Sequence, residues 1–134
     1  MSSYEAVLAH VVSSGRVLLG RNLARGLWTT FGGKPEREET VEQTLFREIA
    51  EELGIVPTAW RRLADRNHNW YGEPARIAVF VITDWEGTPQ NRATHEHTGI
   101  AWYSAAELSM VAITEEAKQE ALRLLMPTAE EGVS

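Results

Sequence analysis

Apolar residues recur along the first part of the chain in two different rhythms. Residues 5–12 and 16–21 are rich in valine and leucine and are separated by Ser13-Ser14-Gly15, which predicts a β-hairpin. Over residues 41–53 the rhythm becomes helical: at about 100° per residue, Val41, Leu45, Phe46, Ile49, Ala50 and Leu53 share one side, which can bury against a core. Thr40 with Gln43 makes a capping box at the start of this helix, and Gly54 followed by Pro57 supplies the stop. Before the helix come a loop-like stretch at 21–26, a short extended run at 27–31, and Gly32-Gly33, where no Cβ blocks the approach of a ligand.

Further on, residues 58–66 and 75–84 read as two strands around a polar, aromatic loop from Asn67 to Pro74. The near-continuous apolar run at 76–82 fits a central buried strand. A polar stretch at 86–97, a strand at 100–103, a second capping box at Ser104 and Glu107, and a last helix opened by Thr114-Glu115-Glu116 complete the pattern. Strands flanked by two substantial helices predict an α/β fold with a mixed sheet between helical layers. With 134 residues, 43% of them hydrophobic, one domain over 1–128 and a short flexible tail over 129–134 are expected.

The acids of the 41–53 helix change the picture. Glu48, Glu51 and Glu52 are spaced i, i+3, i+4, so three like charges share one face and repel. They also lie toward the C-terminal end, where the helix dipole disfavours negative charge, and Glu52 sits at the edge of the apolar stripe. A hard divalent cation, Mg²⁺ or Mn²⁺, would turn this repulsion into a binding site. The surrounding pattern, Gly33, then Glu39, then Arg47-Glu48-Ile49-Ala50-Glu51-Glu52-Leu53-Gly54-Ile55, resembles the signature of the Nudix hydrolases at every fixed position.

That resemblance implies an α/β/α sandwich and a metal-dependent attack of water on phosphorus in a nucleoside diphosphate linked to another group. Carried onto this chain, it places metal at Glu48, Glu51 and Glu52, with Gly33 beside them and Glu96 supplied by a later loop. One of the glutamates, Glu48 the first candidate, would accept the proton from water. Arg47 would pair with Glu39 and hold loop and helix in register. The chain departs from the family at Phe31, where a proline is common.

Composition narrows the partners. A net charge of −6 leaves no basic face for a nucleic-acid polymer or an anionic membrane, so a cation would have to mediate any contact with phosphate. The absence of cysteine excludes disulfides, thiolate metal sites and cysteine nucleophiles, and fits a reducing cytoplasm. No signal peptide or membrane-spanning run stands in the sequence, and it leaves monomer and homodimer equally open. His10 on an apolar strand reads as a core residue, and a zinc pair at His95 and His97 is set aside because a soft-metal site suits phosphate chemistry poorly.

For a small-molecule nucleotide substrate, Trp28 and Trp70 are candidates to stack on a base, while Arg21, Gly32, Gly33 and Lys34 are candidates for its phosphates. The passage Trp85-Glu86-Gly87-Thr88-Pro89-Gln90-Asn91, with Glu96-His97 and Trp102, is similar to Nudix proteins of the MutT type. This makes a (deoxy)nucleoside triphosphate, including oxidised ones of the 8-oxo-dGTP type, the leading substrate, cleaved to monophosphate and pyrophosphate. The alternatives are an ADP-ribose, nucleotide-sugar or dinucleoside polyphosphate hydrolase, and a nucleotide-sensing module without turnover.

Overall fold

Strand β1 (Ala6–Ser13) sends Val7, Ala9 and Val11 to one face of a sheet and Ala6, Leu8 and His10 to the other, and both faces are covered. The computed structural model describes residues 4–70 and 73–126, and of residues 68–70 and 73 only the backbone. β1 turns through Ser14 and Gly15, both at positive φ as a tight hairpin requires, into β2 (Arg16–Asn22). The chain continues through β3 (Trp28–Thr29), β4 (Phe31–Gly33), α1 (Val41–Leu53), β5 (Val56–Trp70), β6 (Glu73–Glu86), β7 (His97–Ser104), α2 (Ala105–Leu108) and α3 (Glu115–Leu125).

The strands form one mixed sheet in the order β3-β2-β1-β6-β5, with β4 paired to β1 and β7 to β2. β1 and β6 run parallel; the other strand pairs are antiparallel. On one face α1 buries Leu45, Ile49 and Leu53 against Val7, Val11, Phe80 and Ile82, each side chain stabilising the fold by about 1.5–3 kcal/mol. On the other, α3 sets Ala121 against Val17, Leu19 and Leu108. This is the expected α/β sheet between helical layers. Among the described residues no helix is long and apolar enough to cross a membrane.

Helix α1 has the bounds read from the sequence. Thr40 Oγ1 accepts from the Gln43 N–H at 3.1 Å, Gln43 Oε1 accepts from the Thr40 N–H at 2.8 Å, and Gly54 closes the helix at φ 72°. The buried stripe is rotated slightly from the expected one: Thr44 and Glu52 are buried, and Ala50 is exposed. The last carbonyls are met from the loop after β6, where Arg92 N–H donates to Glu52 O and Gln90 N–H to Leu53 O.

The loop expected from Asn67 to Pro74 is instead largely strand. The ladder between β5 and β6 runs on through Asn67↔Arg76 and Asn69↔Pro74 to Trp70↔Glu73. The residues are polar because this end of the hairpin extends past β1, whose pairing with β6 begins at Ala6↔Ile77. Among the described residues no strand pairs with Pro74 on its far side, where an N–H donor would be needed. The side chains of Trp70 and Tyr71 and the tail at 129–134 lie outside the described residues.

Candidate active site

β4 brings the glycine pair onto β1, with Leu8↔Gly32 and Val7↔Gly33 in register. Gly32 has φ 145°, and a Cβ there would stand 1.9 Å from the Val7 carbonyl oxygen. At Gly33 a Cβ would meet the Glu48 carboxyl at 2.5 Å, so Gly32 lets the strand lie close on β1 and Gly33 lets it lie directly on the acidic face of α1. Phe31, which replaces the common proline, is buried in the core between β1 and α1 with its ring 5.4 Å from that of His97. The departure therefore adds packing to the strand that delivers the glycines.

Arg47 is the centre of the polar network. Its guanidinium donates to Glu39 through Nε at 2.8 Å and Nη2 at 3.0 Å, to Glu48 at 2.9 Å, to Glu51 at 3.4 Å and to the Lys34 carbonyl at 3.0 Å. The forked bond from Arg47 holds the Glu39 carboxyl down at about 2, helped by the Glu36 N–H and the Thr44 hydroxyl. Arg47 in turn is raised by Glu39, and then by Glu48. The pairing fastens the loop at 34–39 to the helix, the arrangement expected of Glu39 and Arg47.

Glu52 is 4% exposed, and its Oε2 accepts from the Gly32 N–H at 3.2 Å. Burial pushes its carboxyl up to about 8; the Gly32 N–H opposes this, while Glu48, Glu96 and Glu51 push the same way. Glu48 is also raised, first by burial and against the pull of Arg47. Glu51 is exposed and, among the described residues, reaches toward Arg47. Glu96 lies on the loop before β7, its carbonyl accepting from the Leu23 N–H at 2.8 Å, and its carboxylate is half exposed.

Four carboxylates thus feel one another around a glycine strand. Among the described residues no three or more acidic or histidine side chains are already arranged to enclose a metal ion. Glu48 is turned to Arg47, and Glu52 to Gly32. The donor set nevertheless fits a hard cation: all oxygen, poorly neutralised, and with two members held above their ordinary range by burial and mutual repulsion. Glu48, Glu51, Glu52 and Glu96 are the side chains that could hold it, with Gly33 in contact range of Glu48.

Two clefts meet at this point. One, of about 430 Å³, is lined by Glu52, Glu96, His95, Asn22, Thr30 and Gly32. The second, of about 510 Å³, opens on the α3 face of the sheet against Leu8, Ile77, Arg25, Lys34, Arg66 and Glu116, and shares Thr30 and Gly32 with the first. A ligand can therefore lie on the α3 face and pass over the glycine strand to the acids.

The other sequence candidates scatter. Lys34 lines the second cleft. Arg21 is exposed, with its guanidinium beside Gly26. Trp28 packs edge-on against Tyr103 at 4.9 Å and belongs to the apolar cluster under α3, outside the walls of both clefts. The cleft residues the sequence did not single out, among them Arg25, Arg66 and Glu116, come from separate elements and carry no local spacing.

Comparisons with known proteins identify the family. The family model described as the NUDIX domain matches residues 4–125. The CTP pyrophosphohydrolase of Escherichia coli is 34% identical over 111 residues, covering 80% of each chain. The oxidized purine nucleoside triphosphate hydrolase of Danio rerio is 36% identical over 87 residues, covering 61% of this chain and 56% of that one. Among solved structures, the MutT NUDIX hydrolase from Burkholderia pseudomallei superposes with a TM-score of 0.78 at 27% identity, covering 87% of this chain and 93% of that one. The E. coli ORF135 protein gives 0.73 at 32% identity over 92% of each. With its signature helix, glycine strand and mixed sheet all in place, the chain belongs to the Nudix hydrolase family.

Proposed function

We propose that the protein is a metal-dependent pyrophosphohydrolase of nucleoside triphosphates, ribo or deoxy, releasing the monophosphate and pyrophosphate by attack of water on phosphorus. The observation that carries the reading is the buried Glu52 carboxylate beside Glu48, under a glycine strand where two clefts join. Support for a triphosphate comes from the relatives, a CTP pyrophosphohydrolase and an oxidized purine nucleoside triphosphate hydrolase.

In this reading Glu48, Glu51, Glu52 and Glu96 hold Mg²⁺ or Mn²⁺. When bound, the ion neutralises the charge that builds on the phosphate oxygens and makes water a better nucleophile. Glu48, held in place by Arg47 beside the glycine strand, is the candidate to take the proton from the attacking water. Arg47 keeps Glu48 oriented, and Glu39 keeps Arg47 oriented. Lys34 and Arg25 meet the phosphates from the second cleft. The base lies against Leu8 and Ile77, with Arg66 as donor and Glu116 as acceptor at its edge. A base edge with an exocyclic amine beside an acceptor, as in cytosine, guanine or 8-oxoguanine, matches that pair.

The test is a panel of CTP, dCTP, 8-oxo-dGTP, dGTP, UTP and ADP-ribose with Mg²⁺ or Mn²⁺, read by phosphate release with and without added inorganic pyrophosphatase for the triphosphates and with added alkaline phosphatase for ADP-ribose, whose products are two phosphate monoesters. The expected result is release only when pyrophosphatase is present, from triphosphates bearing an amine on the base. Direct release of inorganic phosphate would overturn the bond assignment. Tight nucleotide binding with no turnover would make the protein a sensor.

A further inference from the structure

The α3 face holds a buried polar chain that the hydrolytic chemistry does not use. His10, in the middle of β1, is fully buried, and its Nε2 lies 2.9 Å from Glu120 Oε1 on α3. Glu120 is also gripped by Arg66 of β5, through Nε to Oε2 at 3.1 Å and through Nη2 to Oε1. The Glu120 carboxyl is held below its ordinary range: the His10 and Arg66 bonds outweigh the burial that opposes them. A charge held this way from two sides stays ionised and fixed in place.

The chain spans three elements and ends at the nucleotide cleft. With Nε and Nη2 committed to Glu120, the Arg66 edge left to a ligand is Nη1, which makes no hydrogen bond to the described residues. One turn before Glu120 on α3 stand Glu116 and Ala117, which line the same cleft as Arg66. Glu120 thus sets both walls, the guanidinium directly and the first turn of α3 through the helix.

Resting on the cleft assignment above, we propose that Glu120, braced from behind by His10, is a positioning residue for substrate. It aims the free edge of Arg66 at the nucleobase and holds α3 at the distance that admits it. It does not touch the reacting atoms, so it governs KM and nucleotide affinity and leaves the chemical step alone. An arginine left unbraced samples several rotamers, and ordering it on binding costs affinity.

The experiment compares wild type, Glu120→Gln, Arg66→Lys and the double variant. Steady-state kinetics use CTP and 8-oxo-dGTP, and binding of CMP and 8-oxo-dGMP is followed by tryptophan fluorescence. Glu120→Gln is expected to raise KM about tenfold with kcat within about twofold, and to weaken monophosphate binding by the same factor. Arg66→Lys keeps the charge but loses the fork and should do the same, and the double variant should be no worse than the worse single one. Unchanged KM and monophosphate binding in Arg66→Lys would overturn the cleft assignment and this proposal together. Impaired Arg66→Lys with unchanged Glu120→Gln, or fully additive effects, would overturn the positioning role alone. If Glu120→Gln fails to fold, Glu120→Asp, which keeps the charge but cannot span both partners, serves with the same expected outcomes.

Discussion

Replacing Glu52 by glutamine should stabilise the metal-free protein while ending its activity. The carboxyl is 4% exposed and sits among Glu48, Glu51 and Glu96, with one N–H donor, Gly32, to offset them. A glutamate moved from its ordinary 4.5 to about 8 withholds about 5 kcal/mol from the folded state once it is ionised, at about 1.4 kcal/mol per tenfold change in proton affinity. Local relaxation and water entry reduce this, so about 2–3 kcal/mol is the working figure, or about 8–12 °C in Tm for a domain of this size. Glutamine keeps the shape, and its amide oxygen can still accept from the Gly32 N–H.

The sign sets the pH window. Because the folded carboxyl binds its proton more tightly than the unfolded one, wild-type stability falls as pH rises from about 4.5 to about 8, and the glutamine variant lacks that fall. Thermal unfolding in EDTA from pH 4.5 to 8.5 should therefore show two curves that coincide at the acid end and separate steadily. Adding Mg²⁺ should raise the wild-type Tm and leave the variant nearly unmoved, since binding to the folded state alone stabilises it. A variant no more stable than wild type at pH 8 in EDTA, with a difference flat in pH, would refute the reasoning.

Three further outcomes follow from the same geometry. Glu51→Gln should lower kcat at least about a hundredfold with the circular dichroism spectrum unchanged, and Glu96→Gln should lower it less, because Glu96 approaches from a separate loop. Gly32→Ala would place a methyl 1.9 Å from the Val7 carbonyl at φ 145°; a loss of about 3 kcal/mol or more in urea unfolding is expected. Arg47→Lys keeps a charge beside Glu48 but loses the fork to Glu39, so about 1–2 kcal/mol of stability and about tenfold in kcat should go together. A variant that loses either one alone would separate the two roles.

How much of this was legible in advance depends on whether a feature is local. Helix α1 was legible to the residue, because its period, its Thr40–Gln43 box and its Gly54 stop all lie within one stretch. The acids were legible for the same reason. The helical wheel put Glu52 at the edge of the stripe, where it is buried under β4; what the wheel missed was that Thr44 is buried and Ala50 exposed. The hairpin at 67–74 misled for a related reason. Polarity there marks strands that have outrun their neighbour β1, and that length is a property of the sheet, invisible in the segment.

The cleft proposed for the substrate shows the same limit more sharply. Trp28 and Lys34 were both reasonable candidates by composition, yet one packs under α3 against Tyr103 and the other lines the cleft. Arg66 and Glu116 stand fifty residues apart in sequence and become neighbours only because β5 and α3 meet on one face of the sheet. Three of the four candidate metal carboxylates are clustered within one helix, and that clustering is a spacing. Selection of the base needs donors and acceptors gathered from several elements, and no spacing encodes that. A buried histidine is the exception that can be used. His10 on an apolar strand reads as a core residue whose ring needs a hydrogen-bond partner, and Glu120 supplies one, carrying Arg66 with it.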